Sequence, residues 1–175
     1  KKLILNWKSS NTNFTESSID MYYADSTGLV DQIYVDGTEV PMNTFPTTAT
    51  TTTDEDYDES TLDVPVADKT NFDVDDIFKI GNEYFEAGTQ STAGKIDIAN
   101  YTFRGIFGTI SNDHASGSNV YKLFDQNDYG DTDGEGNFFR ALYDSDLDKV
   151  LLIANEDPRD KVVESGSDFS TIVNR

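Results

Sequence analysis

Asp36-Gly37 stands between Ile33-Tyr34-Val35 and Thr38-Glu39-Val40, and no other signal in the sequence narrows the fold as much. A two-residue turn between antiparallel strands needs positive φ, which Asp-Gly supplies, and the residues on either side have the β-branched and aromatic character of strands. The pattern predicts a hairpin over about 32–41. The same period of two recurs in Ile19, Met21 and Tyr23, in Val40 and Met42, and in Leu62, Val64 and Val66, where Pro65 restricts the run to an edge or an end of a sheet. Ile77 to Ile80 and Glu83 to Ala87 flank Gly81-Asn82, which predicts a second pair of strands. Lys95 to Ile98 reads as a strand, and Tyr101 to Thr109 with the residues after it as strand, glycine turn, strand. Near the C-terminus, Phe138 to Tyr143 and Lys149 to Ile153 surround the acidic turn Asp144 to Asp148, which predicts a hairpin, with one helix over 138–153 as the other reading of its spacing.

Composition agrees with strands and turns. Asp (24), Thr (19), Asn (13) and Gly (12) favour strands, caps and turns over helix interiors. The hydrophobic share, 36%, is below the ~45–50% of ordinary globular domains, but 21 aromatic residues supply large buried areas. The expected fold is all-β with little helix: a mainly antiparallel small barrel or sandwich module carrying hairpin arms. Its divisions are an N-terminal β-rich arm over 1–46, a linker or exposed loop over 47–60, a central module over 61–124 and an acidic C-terminal arm over 125–175. The linker assignment rests on TTATTTTDEDYDES, which has almost nothing to bury, although its β-branched Thr block could also form an edge strand. Residues after Asp157-Pro158 read as a loosely packed or partner-bound tail.

Charge excludes one class of partner. Thirteen Lys and Arg against 33 Asp and Glu give −20, and a phosphate backbone must be met by Lys and Arg, so no nucleic-acid partner is expected. No apolar run approaches the ~18 residues of a membrane span, so membrane insertion is not expected either. There is no Cys, which removes disulfides and thiolate metal sites.

Catalytic patterns are scarce. His114 is the single histidine, placed between Gly108 and Gly117 in a turn-like stretch, and it reads as a histidine bonded to backbone rather than as part of a Ser-His-Asp set. Metalloprotease, phosphate-loop and nucleophile-elbow motifs are missing from the sequence. Asp131, Asp133 and Glu135 with Gly136 match the first half of an EF-hand loop, but Leu142 occupies the position of the bidentate Glu. A non-EF Ca²⁺ loop at these three acids is a candidate beside a plain solvated acidic turn, and no other cofactor is expected. Asn13-Phe14-Thr15 and Asn100-Tyr101-Thr102 match a glycosylation sequon, which a chain rich in Asn and Thr produces by chance.

One longer pattern remains. Thr61 to Phe72 alternates, Ile77 to Glu83 forms a strand and turn, Arg104-Gly105 is followed by Gly108-Thr109, and then come His114, Gly117 and Val120. In this order and spacing, the stretch Ser60 to Tyr121 resembles a small β-module that recurs in structural proteins of tailed bacteriophages and related prophages. The resemblance covers about a third of the chain, with Asp73-Val74-Asp75-Asp76 more acidic than the pattern and Asn112-Asp113 in place of small residues. It implies a non-enzymatic virion protein, in a tail, baseplate, fibre or capsid-associated part, that assembles with copies of itself and with neighbouring virion proteins. Within the pattern Gly105 and Gly108 permit a tight reversal, and Arg104, if covered, needs an acid, for which Glu83 is the candidate. Glu83, Arg104 and His114 are thus expected to cluster around the Gly105 to Thr109 reversal. Both arms, having strand patterns but few residues to pack against, are expected to complete their burial on neighbours. The alternative is a secreted acidic adhesion module or Ca²⁺-stabilised binding module from a marine or halophilic source.

Overall fold

The computed structural model describes residues 42–125, 139–147 and 149–154, together with the strands β1 (Leu3–Trp7), β2 (Thr15–Ile19), β3 (Tyr23–Ala24), β4 (Val30–Val35) and β5 (Thr38–Val40). The described elements are strands apart from one 3-10 turn, and the chain is all-β with antiparallel sheets, as the alternation predicts. It divides into two compact units: Pro46–Gln126, and Lys1–Phe45 together with Asn127–Arg175.

The unit Pro46–Gln126 is built on β7 (Thr51–Thr52), β8 (Asp63–Pro65), β9 (Ile77–Ile80), β10 (Glu83–Glu86), β11 (Lys95–Asp97) and β12 (Asn119–Phe124). β10, β9, β12 and β7 form one antiparallel sheet in that order, and β11 pairs with β8. A bridge between Thr53 and Val66 and a bond from Gly88 N to Asp97 O (2.7 Å) link the two sheets at either side, without closing a barrel. Gly81 takes the positive-φ corner (+55°) of the β9–β10 turn, and the register sets Ile80 opposite Glu83 and Phe78 opposite Phe85. Because side chains alternate along a strand, Phe78, Ile80, Glu83 and Phe85 share one face. That face meets Val64, Val66, Phe72, Ile96, Ile98 and Val120 in the core. Phe78 stacks on Phe85 at 4.9 Å, and Phe72 meets Phe78 edge-on at 5.6 Å. The other face is covered too, since Ile77, Lys79, Tyr84 and Glu86 are also buried.

Two expectations change here. The segment 47–60 is no linker: Thr51–Thr52 pairs with β12, Thr53 is buried with its hydroxyl on Ala115 O (2.7 Å), and Tyr57 reaches the core. β-Branching outweighed the low hydrophobicity of the Thr block, because an edge strand needs only one neighbour. Tyr101 to Thr109 is not a strand: Tyr101–Phe103 is a 3-10 turn opened by the Asn100 side chain, which accepts from Thr102 N. Gly105 (+62°), Phe107 (+56°) and Gly108 (+69°) then take φ values that a strand cannot contain.

In the other unit, β1 pairs with β2, and β4 pairs with both β3 and β5. Val35 opposes Thr38 across the Asp36-Gly37 step, as the hairpin reading of 32–41 requires, although those two residues lie outside the described ones. β13 (Phe139–Asp144) and β14 (Lys149–Ala154) form the C-terminal hairpin, with Asp144 Oδ1 accepting from Asp146 N (3.0 Å), and not a helix. β13 also runs parallel to β6 (Met42–Asn43), so residues read as two separate arms contribute to one unit and supply part of each other's pairing. The Ca²⁺ candidates Asp131, Asp133 and Glu135, the Asn13 sequon and the tail after Pro158 lie outside the described residues.

Candidate functional site

Glu83 is a carboxylate on the core face of β10, a position that would be costly unless several donors met it. Arg104 supplies a fork: Nε donates to Glu83 Oε1 at 2.9 Å and Nη2 to Oε2 at 3.1 Å, and both side chains are 0% exposed. The rest of the guanidinium is used as well. Nη1 donates to Asp58 O (3.0 Å) and Thr61 O (2.7 Å), and Nη2 donates also to Asn112 O (3.0 Å). All five N–H groups are therefore engaged. The guanidinium carbon lies 5.2 Å from the Phe85 ring centre and 5.4 Å from that of Tyr57, within cation–π range.

His114 adds a third partner. Its Nε2 lies 2.8 Å from Glu83 Oε2, which also accepts from Asn112 N at 3.0 Å. Burial pushes the Glu83 carboxyl up, but the bonds from His114, Arg104 and Asn112 N outweigh it and hold the group below its ordinary value. With the carboxylate ionised, Nε2 is the donor. The imidazole stacks on Tyr57 at 5.2 Å, and the backbones of Tyr57 and His114 exchange bonds at 3.0 and 2.9 Å. Burial also pushes the Tyr57 phenol up, and its hydroxyl is buried with no hydrogen-bond partner among the described residues.

The rest of the pattern shapes the chain around this clasp. Asp58 Oδ1 gathers Ser60 N, Ser60 Oγ and Thr61 Oγ1 into the turn whose carbonyls receive Arg104. A Cβ on Gly105 would lie 3.0 Å from Thr109 O and 3.2 Å from Ser111 N, so the tight reversal depends on glycine as well as on its positive φ. Thr109 Oγ1 donates to Ile106 O (2.8 Å) and accepts from Tyr84 N (3.1 Å), which occupies the open edge of β10. Gly108 lies between them, and Gly117 N donates to Thr53 O (2.8 Å), at the opposite end of the 112–118 loop. The structure thus brings Glu83, Arg104, Asn112 and His114 together, with Gly105 and Thr109 forming the adjacent reversal. Gly117 belongs to the loop but stands apart from the clasp.

Two further polar clusters have no signature in the sequence. Lys122 Nζ meets Asp76 Oδ2 (2.7 Å), Asp125 Oδ2 (2.9 Å) and Asn71 O (3.0 Å). Asp97 Oδ2 accepts from Ser91 N, from Thr92 N (2.8 Å) and from Ser91 Oγ (3.2 Å). Burial raises the Asp97 carboxyl, but these bonds prevail and bring it to about 2.

On the outer side, Asp56, Asp58 and Asp113 surround an open hollow of about 540 Å³ over the Tyr57–His114 bridge. The three acids are exposed, and Tyr57, His114 and Ala115 complete the lining of the hollow. No group of three or more His, Asp or Glu among the described residues converges as a metal site. Chemically, the clasp can tie four stretches of chain together, around residues 58–61, 83, 104 and 112–114. Its guanidinium has no N–H left for a substrate. No protein-family model, curated protein or solved structure matches the chain.

Proposed function

We propose that the chain is a non-enzymatic structural component of a tailed-phage virion, working through assembly with copies of itself and with neighbouring virion proteins. One observation carries this reading. The residues of the Arg-Gly…Gly-Thr…His pattern, the same ones through which the chain resembles the phage module, are spent on holding a loop in place: Arg104 has all five N–H groups engaged, and Glu83 is inaccessible and receives four donors. Groups so enclosed serve rigidity, which an assembly subunit needs, rather than turnover. The net charge of −20 fits a part whose neighbours or cations screen it.

The test is quantitative mass spectrometry of purified particles from the source of this sequence. The expected result is the chain at a copy number in fixed ratio to the major virion proteins. Its absence from particles would overturn the proposal, and its recovery from the secreted fraction instead would favour the acidic binding module. Hydrolysis of host surface glycans that disappears in His114→Ala, in a variant still folded, would also overturn it.

A further inference from the structure

We draw no further inference here: the strongest candidate, the hollow over the Tyr57–His114 bridge rimmed by Asp56, Asp58 and Asp113, is a cluster of acids whose carboxylates already accept from Ser116 N, Ser60 N and Glu59 N, and nothing in the structure shows what would fill it.

Discussion

Removing the Arg104 guanidinium is the most direct test of the clasp. Arg104→Ala takes away both arms of the fork and leaves Glu83 with two donors, Asn112 N and His114 Nε2, on a fully buried carboxylate. Three carbonyls also lose a donor, but those of Asp58 and Asn112 belong to exposed residues that water can reach once the side chain is gone, so the carboxylate dominates. Breaking a buried pair in this way costs ~3–5 kcal/mol, against ~0–1 kcal/mol for a pair in solvent. A unit of about 80 residues has only ~4–12 kcal/mol in total, so the variant should retain little of it. Trp7, the single tryptophan, belongs to the other unit. The measurement is therefore a urea titration read by hydrogen exchange at residues 57–61 and 112–114. The urea midpoint at these residues is expected to fall by more than ~1 M. The double variant Glu83→Gln with Arg104→Met, which removes both charges of the buried pair, should lose less than Arg104→Ala alone. A midpoint for Arg104→Ala matching that of the parent would show that the guanidinium faces solvent, and the reasoning would fail.

Other outcomes follow from the same geometry. Tyr57→Phe should leave stability unchanged or raise it, because among the described residues the buried hydroxyl has no partner to lose; a loss above ~0.5 kcal/mol in thermal unfolding would reveal one. Asp97 has a depressed folded value of about 2, so its contribution is complete above its unfolded value near ~3.9 and is lost as pH falls towards 2. Asp97→Asn should accordingly flatten the acid limb of a stability-versus-pH curve in that window, and an unchanged limb would count against the bonds from Ser91 and Thr92. A Cβ on Gly88 would come within 2.6 Å of Ala99 N, so Gly88→Ala should cost ~1–3 kcal/mol by forcing the two backbones apart; an unchanged melting temperature would refute the close approach. The fragment 46–126 should unfold cooperatively on its own, since Thr50 N bonds Val120 O at 2.8 Å and brings its ends together; a fragment with no sigmoidal urea transition would contradict this.

Strand positions were legible where alternation and turn chemistry coincided. Ile77 to Glu86 with Gly81-Asn82, and Ile33 to Val40 with Asp36-Gly37, gave their strands directly, since period and turn specify one register. The stretch 101–109 reads as strand and turn because Tyr, Phe and Ile suit a strand, while the signal against it is local: the Asn100 cap and glycines at both ends of the reversal. Phe107 at +56° is foreseeable from no propensity. For the clasp, a lone arginine beside a glycine pointed to a carboxylate partner, and the β9–β10 turn supplied the nearest one. The parts contributed by backbone, namely the carbonyls of Asp58, Thr61 and Asn112, were invisible, because main-chain acceptors are the same in every residue. The Asp97 and Lys122 clusters were hidden for a related reason: in a chain with 33 acids, no single one stands out.

The parallel pairing of Met42–Asn43 with Ala141–Leu142 bears on the order in which the chain is made. Synthesis at ~5–20 residues per second separates these two strands by about 5–20 seconds. During that interval the whole of Pro46–Gln126 leaves the ribosome, with both sides of its clasp present, and can fold. β6, which precedes it, must wait for its parallel partner until the C-terminal hairpin arrives. Pairing in the split unit is therefore completed only after the whole middle unit has been synthesised, and in that interval the β6 edge that receives β13 is open to other strands.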